Sequence, residues 1–137
     1  MPELPEVEIL VRHLSPLLKG KTIHAVEVRR TRVLRPTTLR RFQRTLRGAT
    51  FTDLSRRGKY LVFRLQSARR AQPLVLVGHL GMAGRMYLLP AKAPLPRHTA
   101  VLLDLGRYRF VFEDTRYFGR LTLDLQPLTA LGPEPLG

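Results

Sequence analysis

Ala100-Val101-Leu102-Leu103-Asp104-Leu105-Gly106-Arg107-Tyr108-Arg109-Phe110-Val111-Phe112-Glu113 decides the fold class. Two short runs rich in valine, leucine and aromatic residues flank a single glycine. Such side chains suit a pleated, half-buried surface, so residues 100–105 and 108–113 read as strands and Gly106 as the turn between them. Similar runs recur at residues 22–29, 50–54, 60–65, 74–78, 85–89 and 121–125, while the prolines in 90–96 demand a loop. Strands so short and so numerous predict two packed antiparallel sheets. Two segments break the pattern. In residues 3–18, Val7, Leu10, Val11, Leu14 and Leu18 recur at three- and four-residue spacing until Gly20, which predicts a helix. Residues 38–46 predict a second, short helix, introduced by Thr37-Thr38 and closed by Gly48. The expected class is α+β: a two-layer antiparallel β-sandwich flanked by an N-terminal helix and a second short helix. The stretch 128–137, with Gly132, Pro133 and Pro135, reads as a linker.

A chain of 137 residues makes about one domain with a real core. Lys and Arg number 24 against 10 Asp and Glu, a formal net charge of +14, and arginine dominates. That excess implies a polyanionic partner recognised through phosphates, with nucleic acid the first candidate. No apolar run is long enough for a membrane span, and the acidic N-terminus is unlike a secretory signal. Cysteine is absent, which excludes disulfides, thiolate zinc sites and a thiol nucleophile within this chain. The four histidines show no metal-ligand spacing. An intracellular, metal-free domain facing nucleic acid is the expectation.

Chemistry concentrates in a few stretches. The chain opens Met1-Pro2-Glu3-Leu4-Pro5-Glu6-Val7-Glu8. Once Met1 is removed, Pro2 presents a secondary amine beside Glu3 and Glu6. An amine next to carboxylates can add to an electrophilic carbon and form an iminium while an acid supplies a proton. The same residues can also simply open a helix, since proline favours the first turn and acids complement the dipole. Arg56-Arg57-Gly58-Lys59-Tyr60-Leu61 sets a lysine at a turn-to-strand junction, suited to pairing with a phosphate, to moving a proton, or to being a solvated hairpin end. His79-Leu80-Gly81-Met82-Ala83-Gly84 presents an apolar methionine on a glycine-punctuated loop, either a wedge between base steps or a filler of a core gap. Asp114-Thr115-Arg116-Tyr117-Phe118-Gly119 carries an arginine and a phenylalanine two apart, one able to hydrogen-bond a base and the other to stack, or else a strand end with a buried Phe118.

Together, in this order, these stretches resemble the formamidopyrimidine-DNA glycosylases, bacterial base-excision repair enzymes, over essentially the whole chain through Leu131-Gly132-Pro133-Glu134-Pro135-Leu136. Leu4 resembles the oxidised-purine branch, whereas the endonuclease VIII relatives usually have glycine there. The resemblance implies a glycosylase and abasic-site lyase that removes oxidised purines, namely 8-oxoguanine and formamidopyrimidines. It makes Pro2 the nucleophile at the anomeric carbon and the Schiff-base former, with β-elimination to follow. Glu3 would protonate the sugar ring oxygen, Glu6 would be a supporting buried carboxylate, and Lys59 would assist β-elimination and hold the backbone. Met82, Arg116 and Phe118 would fill the hole left by the flipped lesion, with Arg116 facing the orphaned cytosine. His98 would contact a phosphate, and His79, which opens the Met82 loop, joins the DNA-binding set. The implied partner is double-stranded DNA with an oxidised base or abasic site, bound by a monomer in the bacterial cytoplasm near the nucleoid, with no membrane involved.

The family pattern continues beyond this sequence with a helix–two-turns–helix domain and a four-cysteine zinc finger. Residues 1–126 are therefore expected to be the catalytic domain and 127–137 the start of an interdomain linker, with no cofactor in this chain and the family's structural zinc in the missing part. The zero-cysteine count is then expected to reflect truncation. A second reading is a truncated, non-catalytic module that binds damaged DNA. Ala100 is a smaller departure, standing where the family often has a second histidine.

Overall fold

The computed structural model describes residues 4–69 and 71–131. Helix α1 spans Leu4–Leu18. Strand β1 (Ala25–Val28) leads through a 3-10 turn at Thr31–Leu34 into α2 (Leu39–Leu46). Strands β2 (Thr50–Arg57), β3 (Tyr60–Gln66), β4 (Pro73–His79), β5 (Gly84–Pro90), β6 (Thr99–Asp104), β7 (Tyr108–Asp114) and β8 (Arg120–Thr122) follow, and then the short α3 (Gln126–Thr129). Two four-stranded sheets form, in the orders β1-β6-β7-β5 and β2-β3-β4-β8. Every pairing in both is antiparallel. The α+β sandwich expected from the strand runs is present.

The hairpin that carried the prediction pairs Val101 with Phe112, Leu103 with Phe110 and Asp104 with Arg109. Its turn is closed by the Asp104 carboxylate, which accepts from the Gly106 amide at 2.8 Å. Gly106 takes φ +97°, which costs a glycine little. Alternate residues of the two sheets meet between the layers. Phe63 of β3 lies edge-on to Phe110 of β7 with centroids 5.7 Å apart, and Phe51 of β2 packs on Phe63 at 6.1 Å. All three are essentially fully buried. Removing one such ring would cost about 3–5 kcal/mol, so this cluster fixes how the sheets face each other. α1 covers β2 with Val7, Val11, Leu14 and Leu18, the spacing read in the sequence. In α2, Thr38 is the N-cap, its hydroxyl accepting from the Arg41 amide at 3.2 Å, and Phe42 and Leu46 are buried.

The structure departs from expectation where polar side chains redirect the backbone. β8 stops at Thr122 rather than running to residue 125. The Thr122 hydroxyl accepts from the Asp124 amide at 3.1 Å and the Asp124 carboxylate from the Gln126 amide at 3.3 Å, which turns the chain into α3. The Thr37 hydroxyl lies 2.7 Å from that of Thr122 and accepts from the Leu123 amide at 3.0 Å, clamping this turn to the lead-in of α2. Leu128, in the segment expected to be linker, is buried with Val62 and Val77 on the outer face of the second sheet. β2 extends three residues past the expected end because Arg56 and Arg57 pair with Leu61 and Tyr60 across a turn at Gly58.

Candidate nucleic-acid interface

Four segments converge at one end of the sandwich: the start of α1, the β2–β3 turn, the β4–β5 loop and the β7–β8 loop. The Glu8 carboxylate joins the first two, accepting from Arg56 Nε at 2.7 Å and from Arg12 Nε at 3.3 Å. The Arg56 hydrogen bond, helped by the charges of Arg56 and Arg12, holds that carboxyl below its ordinary range. On the other flank of α1, Glu6 and Leu10 border a cavity of about 290 Å³ shared with Leu80, Gly84 and Tyr87. The first turns of α1 therefore lie between the Lys59 turn and the Met82 loop. Pro2 and Glu3 lie outside the described residues. Glu6 does not match the buried carboxylate that was expected: it is exposed, because α1 turns Val7, Val11 and Leu14 to the sheet and leaves Glu6 on the cavity side.

Lys59 and His79 share a cavity of about 260 Å³ with Arg35, Tyr60, Arg120 and Asp124. The Lys59 ammonium is exposed and lies 5.9 Å from the centroid of the Tyr60 ring, whose other neighbour is the His79 imidazole at 5.3 Å. His79 Nδ1 accepts from the Gly81 amide at 3.0 Å, so the neutral ring carries its proton on Nε2, on the edge away from the loop. Burial pushes the His79 pKa down, and the nearby Lys59 and Arg120 charges push it the same way. The cavity thus holds three cations and an imidazole donor beside one carboxylate, Asp124, which accepts from the Gln126 amide; its donors are suited to phosphate oxygens.

The β4–β5 and β7–β8 loops are pressed together. A methyl added at Gly81, which has φ +61°, would come within 2.7 Å of the Gly119 amide and 2.9 Å of the Phe118 carbonyl carbon. A methyl on Gly119 would meet the His79 carbonyl oxygen and the Phe112 ring, each at 2.7 Å. Asp114 shapes the second loop from below. Fully buried, it accepts from the Arg116 amide at 3.0 Å and from the Gly119 amide at 2.7 Å. The intervening Tyr117 takes φ +56°. This construction throws the side chains outward: Met82 is 57% exposed, Phe118 49%, and Arg116 is exposed as well. Neither Met82 nor Phe118 fills the core. The Arg32 guanidinium lies 5.7 Å from the Phe118 ring centroid and that of Arg30 lies 5.1 Å from the Tyr117 ring. Tyr117 in turn sits edge-on to His98, centroids 6.4 Å apart, which connects His98 to the loop.

The structure therefore brings Lys59, His79, Met82, Arg116, Phe118 and His98 to one end of the molecule. Ala100 does not take part, being fully buried at an irregularity in β6. Sequence reasoning did not single out Asp114 as the loop's organiser, nor Arg30, Arg32 and Arg120 as its cationic surround. The Asp at the head of a turn was a usable signal; the arginines belong to a charge run with no distinguishing pattern. Among the described residues no three or more histidines or carboxylates group to hold a metal, and the chain has no cysteine; the family's structural zinc was expected outside this sequence.

Comparison with known proteins agrees with this arrangement. The sequence profile of the formamidopyrimidine-DNA glycosylase N-terminal domain matches residues 1–121. The formamidopyrimidine-DNA glycosylase of Carboxydothermus hydrogenoformans is 38% identical over 136 residues, covering 99% of this chain and 49% of that protein. That of Moorella thermoacetica is 43% identical over 144 residues, covering 99% and 51%. The chain spans about half the length of the curated relatives it matches. Among solved structures, wild-type Lactococcus lactis Fpg (MutM) in complex with DNA containing N7-benzyl-Fapy-dG superposes with a TM-score of 0.84 at 30% identity, over 95% of this chain and 47% of that one. The Lactococcus lactis complex with abasic-site DNA gives 0.81 at 30% identity, over 88% and 43%. On the profile, the identities and the shared sandwich, this chain belongs to the formamidopyrimidine-DNA glycosylase family and corresponds to its N-terminal domain.

Proposed function

We propose that this chain is the catalytic and lesion-probing domain of a base-excision repair glycosylase and abasic-site lyase acting on oxidised purines in bacterial chromosomal DNA. The observation that carries the reading is the pair of interlocked loops, which hold Met82, Arg116 and Phe118 exposed beside the Lys59–His79 cation pocket and the start of α1. Apolar and planar side chains on a rigid platform fit the space left when a nucleotide leaves the stack, and the anomeric carbon is reachable only after that extrusion. Arg116 is suited to hydrogen-bonding the orphaned cytosine. Lys59, His79 and His98 are suited to the phosphates that flank the lesion.

In this reading Pro2, freed of Met1, attacks the anomeric carbon, and the N-glycosidic electron pair leaves with the base, which takes up the proton that the amine gives up. Glu3 gives a proton to the ring oxygen as the sugar opens to an iminium on the Pro2 nitrogen. Lys59 helps remove the neighbouring C2′ proton, whose electron pair expels the 3′ phosphate. Glu6 lines the approach from the helix side. The experiment is borohydride trapping with Met1-processed protein on a duplex containing an abasic site. A covalent adduct whose yield Pro2→Gly sharply reduces is the expected result, and an unchanged yield would argue against the amine's role. Binding of the damaged duplex with no trapped adduct would instead make this chain a non-catalytic damaged-DNA module.

A further inference from the structure

At the opposite end of the second sheet lies a cationic cavity that the lesion site does not use. β3 runs from Tyr60, next to Lys59, to Gln66, next to Ser67. Seven residues at about 3.3 Å each separate the two ends by roughly 20 Å. There Thr38, Arg40, Arg41, Arg44, Thr45 and Ser67, with Arg69 and Leu74, enclose about 460 Å³. All four arginines are exposed, and none of them makes an ion pair among the described residues. No carboxylate among the described residues borders the cavity. Between Glu27 and Asp104 the only acidic residue is Asp53, which lies within reach of Arg64 at 3.8 Å. Arg40 and Arg44 stand one turn apart on α2, a like-charge spacing that slightly destabilises a helix. Arg69 reaches across from the β3–β4 turn to donate to the Arg44 carbonyl at 3.3 Å, holding a further guanidinium beside the others. Clustered guanidiniums, two threonine hydroxyls and a serine hydroxyl with no internal counter-charge make a receptor for phosphate oxygens.

We propose that this cavity is a second nucleic-acid contact, binding the phosphodiester backbone of a duplex segment other than the one in the lesion cleft. The openness of the arginine side chains to solvent and their spread over two elements suit a chain of phosphates better than a single one, and backbone contacts of this kind need no base sequence. Two separated backbone sites allow a repair protein to touch a neighbouring segment before releasing the first, so that transfer between segments need not pass through free solution.

The absence of native cysteine permits a local test. Ala68→Cys, on the exposed β3–β4 turn, carries an azidophenacyl photocrosslinker in the full chain, which is mixed with a short undamaged duplex. Crosslinking is expected, and a combined Arg40→Gln, Arg44→Gln and Arg69→Gln variant should reduce it at least tenfold, with Arg→Lys at the same positions restoring part of it. Crosslinking should persist in a Lys59→Gln background, which separates this site from the lesion cleft and from its proposed chemistry. Circular dichroism should show the glutamine variant folded, since all three side chains are exposed. No crosslink from the labelled turn, or a crosslink indifferent to the three glutamines, would overturn the proposal. So would a site filled by inorganic tripolyphosphate that no concentration of duplex displaces, which would mark a small-phosphate pocket instead.

Discussion

Asp114 is the residue whose loss should most directly unmake the probing surface. It is fully buried and spends both carboxylate oxygens on backbone donors, at 3.0 Å from the Arg116 amide and 2.7 Å from the Gly119 amide. Hydrogen bonds to a charged acceptor contribute roughly 1.5–3 kcal/mol each, and a buried amide left unpaired costs about 1–3 kcal/mol. Asp114→Asn keeps one oxygen, which will face the buried Gly119 amide, and turns a donor towards the half-buried Arg116 amide. The expected loss is therefore about 2 kcal/mol. Asp114→Ala strips both amides and should lose about 3–5 kcal/mol. At roughly 3–5 °C per kcal/mol for a domain of this size, the alanine variant should melt about 9–25 °C lower. Urea denaturation followed by circular dichroism gives the stability change, and amide hydrogen exchange locates it, since Arg116 and Gly119 should lose protection ahead of the β6–β7 hairpin. An alanine variant within about 1 kcal/mol of the parent, with those two amides still protected, would refute the account of how the loop is held.

Gly81→Ala should cost about 2–4 kcal/mol, since it combines a left-handed backbone with contact against the Gly119 backbone, and thermal melting should show it. Met82→Ala and Phe118→Ala, at half-exposed positions, should change stability by less than about 1 kcal/mol yet weaken binding of an abasic-site duplex at least tenfold by fluorescence anisotropy; unchanged affinity would remove them from the wedge role. For His79, the folded pKa is held below the ordinary histidine value of 6.5, chiefly by burial and then by Lys59 and Arg120. Below pH 6.5 the unfolded chain therefore binds the proton more readily, and the stability this ring contributes above that pH is lost as pH falls through the folded value. His79→Asn keeps an acceptor for the Gly81 amide but does not titrate, so its stability should fall less steeply between pH 7 and 5, as followed by urea midpoints across that range.

Much of the fold was legible because its determinants are local. The apolar stripe from Val7 to Leu18 carries one helical period, and the runs rich in branched and aromatic residues on either side of Gly106 are set apart by a single glycine; all three formed within a residue of their reading. The parts that escaped depend on partners far away in sequence. Ser55-Arg56-Arg57 reads as loop by composition and is strand because Leu61 and Tyr60 lie opposite. Residues 123–125 read as strand and instead turn, because Thr37, some 85 residues earlier, captures the Thr122 hydroxyl. The 3-10 turn at Thr31–Leu34 is too short to show a period. The site divides the same way. Lys59, Met82, Arg116 and Phe118 stand in recognisable turns, whereas the clamp of Asp114 on Gly119 and the arginines stacked beside Tyr117 and Phe118 exist only once β7 and the 3-10 turn have been brought together.

The close approach of Gly81 to Gly119 limits how this surface can be rebuilt. Each loop is the mould of the other, so neither can be lengthened, shortened or exchanged for a counterpart with different base preference while its neighbour stays as it is. A graft meant to retune lesion choice would have to carry residues 79–84 and 114–119 across together, as one two-part cassette with Asp114 inside it.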